Sequence, residues 1–242
     1  PSLQENYDNA TLITGFKEEV VKGILITLDI TEEVVEEAIQ SGCNLIVAHH
    51  PIIFKGLKKL NGNNYVERTV IKAIKNDIAL YAIHTNLDNV KNGVSFKMAE
   101  VLGLKHIKVL APMKNTLRKL VFFVPVENTA AVLKTVHEAG AGNIGNYEEC
   151  AFAAEGTGSF KPNALANPTI GSQHQLEYVN ENRVEVILPV YNESKVLKAL
   201  FKAHPYEEVA YYLSNLENEN QDTGSGAVGE LEKEIEVYTF LD

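Results

Sequence analysis

Short apolar runs and amphipathic stretches alternate along the first half of the chain. Gly23 to Asp29 (GILITLD) has little polar alternation, which predicts a parallel strand buried on both faces. Thr31 to Gly42 then reads as a helix. Thr31 can cap it, Glu32 and Glu33 suit the positive end of the helix dipole, and Val34, Val35, Ala38 and Ile39 form one apolar stripe. Gly42 closes it. The cycle repeats with Asn44 to Ala48 as strand, Tyr65 to Lys75 as helix, Ile78 to Ile83 as strand and Val94 to Leu102 as helix. Strands alternating with helices of this length predict βαβ crossovers and a parallel sheet covered on both faces, up to about residue 112.

After Ala111-Pro112 the pattern changes. Leu117 to Pro125 predicts a strand, Glu127 to Ala139 a helix, and Gly140 to Asn146 a glycine-rich turn. Short strands are expected near Cys150 to Ala154 and Gly158 to Phe160. Arg183 to Pro189 restarts the cycle, with a helix at Glu193 to Ala203 and a strand at Val209 to Leu216. Strand-helix-strand given twice is the ferredoxin-like, split βαβ arrangement. The fold class expected is therefore α/β: a parallel-sheet α/β layer followed by a ferredoxin-like α+β domain.

Composition narrows the function. Of 242 residues, 22 are Lys or Arg and 32 are Asp or Glu, a formal charge of -10 that disfavours nonspecific binding to nucleic acid or anionic membranes. No apolar run approaches the ~20 residues that span a bilayer, and the first residues lack the charged and apolar regions of an export signal. Cys43 and Cys150 form no CxxC pair, so a thiolate zinc site is not supported and a reducing cytoplasm fits.

In an open parallel sheet, ligands gather beyond the carboxyl ends of the strands. One such end runs into His49-His50-Pro51 and another into His84-Thr85-Asn86-Leu87-Asp88. Adjacent histidines on extended backbone turn their rings to opposite sides, so the pair can serve two ions, or one ion and a supporting partner. Pro51 keeps His50 extended. Asp88 adds a carboxylate able to bridge two ions, and Asp29 ends a strand near the same rim. Nitrogen and oxygen donors suit zinc, manganese or iron. His106, His137 and His174 read as ordinary loop residues, Arg118 as a surface charge, and His204 to Glu208 as a turn. Gly140 to Gly145 and Glu155 to Gly158 read as tight turns, because neither carries a Walker lysine.

The stretches AHHPIIFKGLKKL (48 to 60), AIHTNLDNV (82 to 90), the leading SLQENYDN and LDITEEVVEEAIQSGCNLIVAHHP resemble the NIF-three-like family, whose members are described as GTP cyclohydrolase 1 type 2 homologs. GAGNIGNYEEC, EGTGSFKP, ANPTIG, KAHPYEEVAYYL and GSGAVGEL resemble the CutA or PII-like domain inserted in longer bacterial members. The resemblance implies domains at 1–115 and 116–232, with 233–242 beginning a second α/β half. It implies two divalent ions held by His49, His50 and Asp88, with His84 as a catalytic group for substrate or proton transfer. A metal-dependent hydrolase acting on a small molecule, such as a nucleotide whose purine ring is opened, is the function implied. Homo-oligomers, hexameric in the family, are implied too. The family's closing His and Glu ligands have no counterpart before Asp242, so the chain reads as a fragment lacking a short leading region and its C-terminal part, with the second ion weakly held. The alternative reading is a metal-binding regulatory or interaction module without catalysis, pairing through the edge strand Val209 to Leu216.

Overall fold

The computed structural model describes residues 3–220 and 222–241. Contacts divide the chain into two compact units, 1–112 with 221–242, and 113–220. In the first, β1 (Leu12–Thr14), β2 (Ile24–Thr27), α1 (Glu32–Gln40), β3 (Leu45–Ala48), α2 (Tyr65–Lys75) and β4 (Ala79–Ala82) follow one another. The sheet order is β1-β4-β3-β2, with β2, β3 and β4 parallel and β1 antiparallel to β4.

Each helix starts and stops where its termini find partners. Thr31 Oγ1 accepts from the backbone N–H of Val34, so one of the orphan donors of α1 is satisfied. At the other end Gly42 adopts φ 68°. The N–H groups of Gly42 and Cys43 then return to the carbonyls of Ile39 and Ala38, the Schellman pattern. In α2, Asn64 Oδ1 accepts from the N–H of Glu67, while the Glu67 carboxylate accepts from the N–H groups of Asn61 and Asn63. This reciprocal cap explains how a glutamate only 4% exposed remains satisfied.

Val35 and Ala38 of α1 and Ala73 of α2 pack on Ile46, Ala48 and Leu80 of the sheet. Leu25 of β2 joins them, but its neighbours on the strand do not: Ile24 and Ile26 are exposed, Ile26 to 80%. The expectation that GILITLD is buried on both faces is thus corrected. β2 is an edge strand, and α1 and α2 pack against the other side of it. An apolar run reports strand propensity here, and sheet position decides burial.

Two further helices, α3 (Thr85–Asp88) and α4 (Val94–Val101), lead to β5 (Lys105–Pro112). The second unit then runs β6 (Leu117–Pro125), α5 (Thr129–Glu138), β7 (Phe152–Phe160), β8 (Glu177–Pro189), α6 (Glu193–Ala203) and β9 (Tyr211–Leu216). Its antiparallel sheet has the order β7-β8-β6-β9, the ferredoxin-like topology. Short 3-10 turns after Pro125 and Pro189 introduce α5 and α6, so the two halves repeat each other. Leu120, Phe122, Val124, Val184, Val186 and Leu188 alternate along β6 and β8 and pack on Val132, Val136, Val196 and Leu200.

Three sequence expectations change in this unit and after it. The two short strands foreseen around residues 150–160 form one strand, so Glu155 to Gly158 lie in β7 and not in a tight turn. β8 begins at Glu177 and is 13 residues long. After Asn220 the chain returns to the first unit: β10 (Gly224–Glu230) pairs antiparallel with β5, Gly224 opposite Pro112 and Ala227 opposite Val109. The stretch GSGAVGEL had been expected in the inserted domain, from its resemblance to the CutA or PII-like domain of longer family members. At Gly224 the glycine is required, since a Cβ there would overlap the carbonyl of Ala111. The last element is α7 (Val237–Leu241), and among the described residues no helix is long and apolar enough to cross a membrane.

Leu80 is wholly buried at the centre of the first sheet. Leu80→Ala is expected to cost about 2–5 kcal/mol by transfer and cavity terms. Urea unfolding followed by hydrogen exchange checks this; the loss should fall on amides of 23–82 and spare those of 117–216.

Candidate metal centre

The parallel ladder continues beyond its strands. The N–H of Ile83 donates to the carbonyl of Ala48 (2.8 Å), that of His49 to Thr27 (3.2 Å) and that of His50 to Leu28 (2.9 Å). Since Ala48 lies opposite Ala82, residues following these strand ends emerge side by side. His49, His50 and His84 therefore meet at one rim. Their ring centroids are 5.0, 5.3 and 5.7 Å apart, and each offers a ligating nitrogen within 4.8 Å of the other two. The rings of His49 and His50 do not splay to opposite sides as strand geometry had implied. The strand has ended at Ala48, and the bend at 49–50 turns both rings to the same point.

Asp88 closes the fourth side, with its Oδ1 3.9 Å from His49 Nε2. That gap is too long for a hydrogen bond. It is close to the separation of two ligands on one ion, about 3.3 Å for bonds near 2.05 Å at tetrahedral angles. α3 explains how Asp88 reaches the rim. The N–H groups of Leu87 and Asp88 return to the carbonyl of His84, coiling the chain into one turn that sets residues 84 and 88 on the same side.

Two imidazoles are held by carboxylates through Nδ1. Asp29 Oδ1 lies 2.7 Å from His50 Nδ1 and Asp8 Oδ1 lies 2.9 Å from His84 Nδ1. A carboxylate on Nδ1 places the proton there and leaves Nε2 as the free donor atom, the arrangement that orients metal-binding histidines. Asp29, expected only to share the rim, thus has a specific partner. Asp8 was not singled out from the sequence. It lies 76 residues from His84, in a polar stretch without periodicity.

The Asp8 side chain is completely enclosed. Its Oδ2 accepts from the N–H of Thr85 at 3.0 Å and from the Thr85 hydroxyl, and its Oδ1 also accepts from the N–H of Asn9 at 2.6 Å. Burial pushes the pKa up, but the bonds from Thr85, His84 and Asn9 outweigh it, and the carboxyl is held below its usual 3.8. Asp8 is therefore an anion inside the protein, fixed to both His84 and the residue after it. The Phe54 ring stands edge-on to His84 at 6.3 Å and bounds the rim on that side.

The donor set fits a borderline divalent ion: three imidazoles, one adjacent carboxylate and no thiolate. His49, His50 and Asp88, the metal ligands foreseen from the sequence, come together here. His84, foreseen as a catalytic group beside the metal, has its ring within the same cluster. His106, His137 and His174 stand outside that cluster.

The family model Duf34/NIF3 (NGG1p interacting factor 3) matches residues 1–242. The GTP cyclohydrolase 1 type 2 homolog of Halalkalibacterium halodurans is 45% identical over 240 residues, covering 99% of this chain and 64% of that protein. The Bacillus subtilis protein of the same name is 43% identical over 234 residues, covering 96% and 63%. A Bacillus cereus protein related to NIF3 superposes with a TM-score of 0.85 at 45% identity, over 99% of this chain and 64% of its own. The chain thus spans less than two thirds of the length of these relatives. With a family match along its whole length and close structural agreement with a NIF3-related protein, the chain belongs to the Duf34/NIF3 family.

Proposed function

We propose that the protein is part of a metal-dependent hydrolase whose centre is built by His49, His50, His84 and Asp88. The observation that carries this reading is the convergence of three imidazole nitrogens within 4.8 Å, two of the rings being aligned by buried or rim carboxylates. Divalent ions bound there would activate water as a nucleophile and polarise the substrate, and sites with two ions 3.5–4 Å apart do both. His49 and Asp88, set 3.9 Å apart with no bond between them, are the natural pair to share such ions.

The chain's own groups have separate tasks. Asp8 holds the Nδ1 proton of His84, so that Nε2 stays a base facing the rim; it can bind an ion or take a proton from substrate. Asp29 does the same for His50, from a more exposed position that solvent screens. Phe54 offers an apolar edge beside the imidazoles against which a planar substrate can lie. The substrate class follows the name of the relatives: a guanine nucleotide whose ring is opened by hydrolysis. The exposed apolar residues at the β2 edge, Ile26 and the following Leu28, support self-association.

Titration calorimetry with zinc and manganese should show one ion bound tightly and a second more weakly, because four donors are shared between them. His49→Ala should weaken the first by at least about tenfold and abolish formate release from GTP. A variant as active as the parent would reject the metal role.

Asp8→Asn should lower metal affinity by about 10- to 100-fold through loss of His84 orientation. It should also change the acid limb of stability. The Asp8 carboxyl has a folded pKa below 3.8, so its contribution is fully present above that value and is lost as pH falls through the folded pKa. The stability difference between parent and Asp8→Asn, measured by urea unfolding, should therefore be constant near neutrality and shrink below pH 3.8.

A further inference from the structure

The ferredoxin-like unit contains a cavity of about 470 Å³ on the side of its sheet away from α5 and α6, within the range of small-molecule sites. The segment 161–170 covers it, held by Thr169 Oγ1 donating to the carbonyl of Pro205 and the N–H of Asn167 donating to the Glu207 carboxylate. The walls are aromatic. Phe160 and Tyr206 meet at 6.1 Å with planes inclined by 57°, and Phe123 and Tyr212 at 5.7 Å inclined by 79°.

One charged side chain is buried in this aromatic box. Glu181 of β8 is only 9% exposed and, among the described residues, has no cationic partner; its carboxylate meets the Tyr206 hydroxyl. The sequence makes room for it: at Gly158, across the hairpin, a Cβ would overlap its Oε2. The Tyr206 hydroxyl is also enclosed. Burial first, then its hydrogen bond to the Glu181 carboxylate and the charge of that carboxylate, push its pKa up.

The nearest imidazole does not neutralise Glu181. His204 is 7% exposed; its Nε2–H donates to the carbonyl of Phe123 at 2.8 Å and its Nδ1 accepts from the N–H of Tyr206 at 3.1 Å. A ring with one nitrogen donating and the other accepting is neutral, and burial lowers its pKa in agreement. Around the opening, Glu207 and Glu208 add two acids against the single ammonium of Lys161. A buried carboxylate without a counter-ion is costly unless a cation arrives to pair with it. Aromatic faces favour a cation with alkyl groups over a hydrated metal ion.

We propose that this cavity binds a small organic ammonium ion, its charge against Glu181 and its alkyl groups against Phe123, Phe160, Tyr206 and Tyr212. The site is independent of the histidine cluster and of the reading given to it. Tyr206, Glu207 and Glu208, within the stretch read from the sequence as a turn, and Gly158 of EGTG then have a shared purpose in lining it.

The test is an amide NMR titration of the full chain with choline chloride, with 3,3-dimethylbutan-1-ol as its uncharged isostere and potassium chloride as a plain cation. Saturable shifts confined to residues around Phe160, Glu181 and Tyr206, given by choline alone, are expected. Glu181→Gln should weaken choline by about tenfold or more. The proposal is overturned if the alcohol binds as well as choline, if potassium reproduces the shifts, if no choline shift saturates, or if Glu181→Gln leaves the affinity unchanged. Should Glu181→Gln lose the native spectrum, Tyr212→Leu replaces it, an exposed position where the ring can be removed without opening the core. A several-fold loss of affinity then supports the site, and unchanged affinity rejects it.

Discussion

The register of β3 against β4 governs the histidine cluster. Parallel strands that end in step deliver their next residues at neighbouring points, and the bonds from Ile83 to Ala48 and from His49 to Thr27 keep that step for one residue past the sheet. A slip by one residue would invert every side chain of β4, taking Leu80 out of the core as well as moving His84. The packing of Ile46, Ala48 and Leu80 on α1 and α2 therefore fixes the position of imidazoles that it does not touch. Core and site share one constraint, which is why the rim tolerates exposed, polar, weakly packed residues.

Asp8 adds a second constraint of a different kind. Where the ladder sets backbone positions, Asp8 sets a ring orientation and a tautomer, and it does so from a segment preceding the whole sheet. It binds the N–H and hydroxyl of Thr85 as well as His84, so the start of α3 and the histidine before it move as one body. The same turn carries Asp88 to the rim. The leading segment, which the hydrophobic pattern left blank, thus acts as a brace for His84 and the turn that follows it.

Much of this was legible in the sequence, because local signals agreed with the fold. Tyr65–Lys75, Leu117–Pro125 and Glu193–Ala203 lie where periodicity and capping place them. His49, His50 and Asp88 were visible as polar residues just past buried strands, and the rule for parallel sheets brought them to one edge. What stayed hidden depended on long-range contact. Asp8 needs a partner 76 residues away. The burial of β2 depends on its being an edge, and Gly224–Glu230 shows its place in the first unit only through its pairing with β5. Glu181 is one acidic residue among many in the composition, and only enclosure by rings distinguishes it.

The pairing of β5 with β10 has a topological consequence. Pro112 and Gly224 face each other across two antiparallel strands, so the polypeptide leaves the first unit and comes back at a single hairpin position. The whole of 113–220 occupies the place of a hairpin loop. Lengthening a loop costs little entropy when its ends already lie together and the intervening chain folds by itself, with its own hydrophobic centre. An accessory domain can be gained, lost or exchanged at such a junction during evolution while the strand tips bearing the imidazoles keep their places.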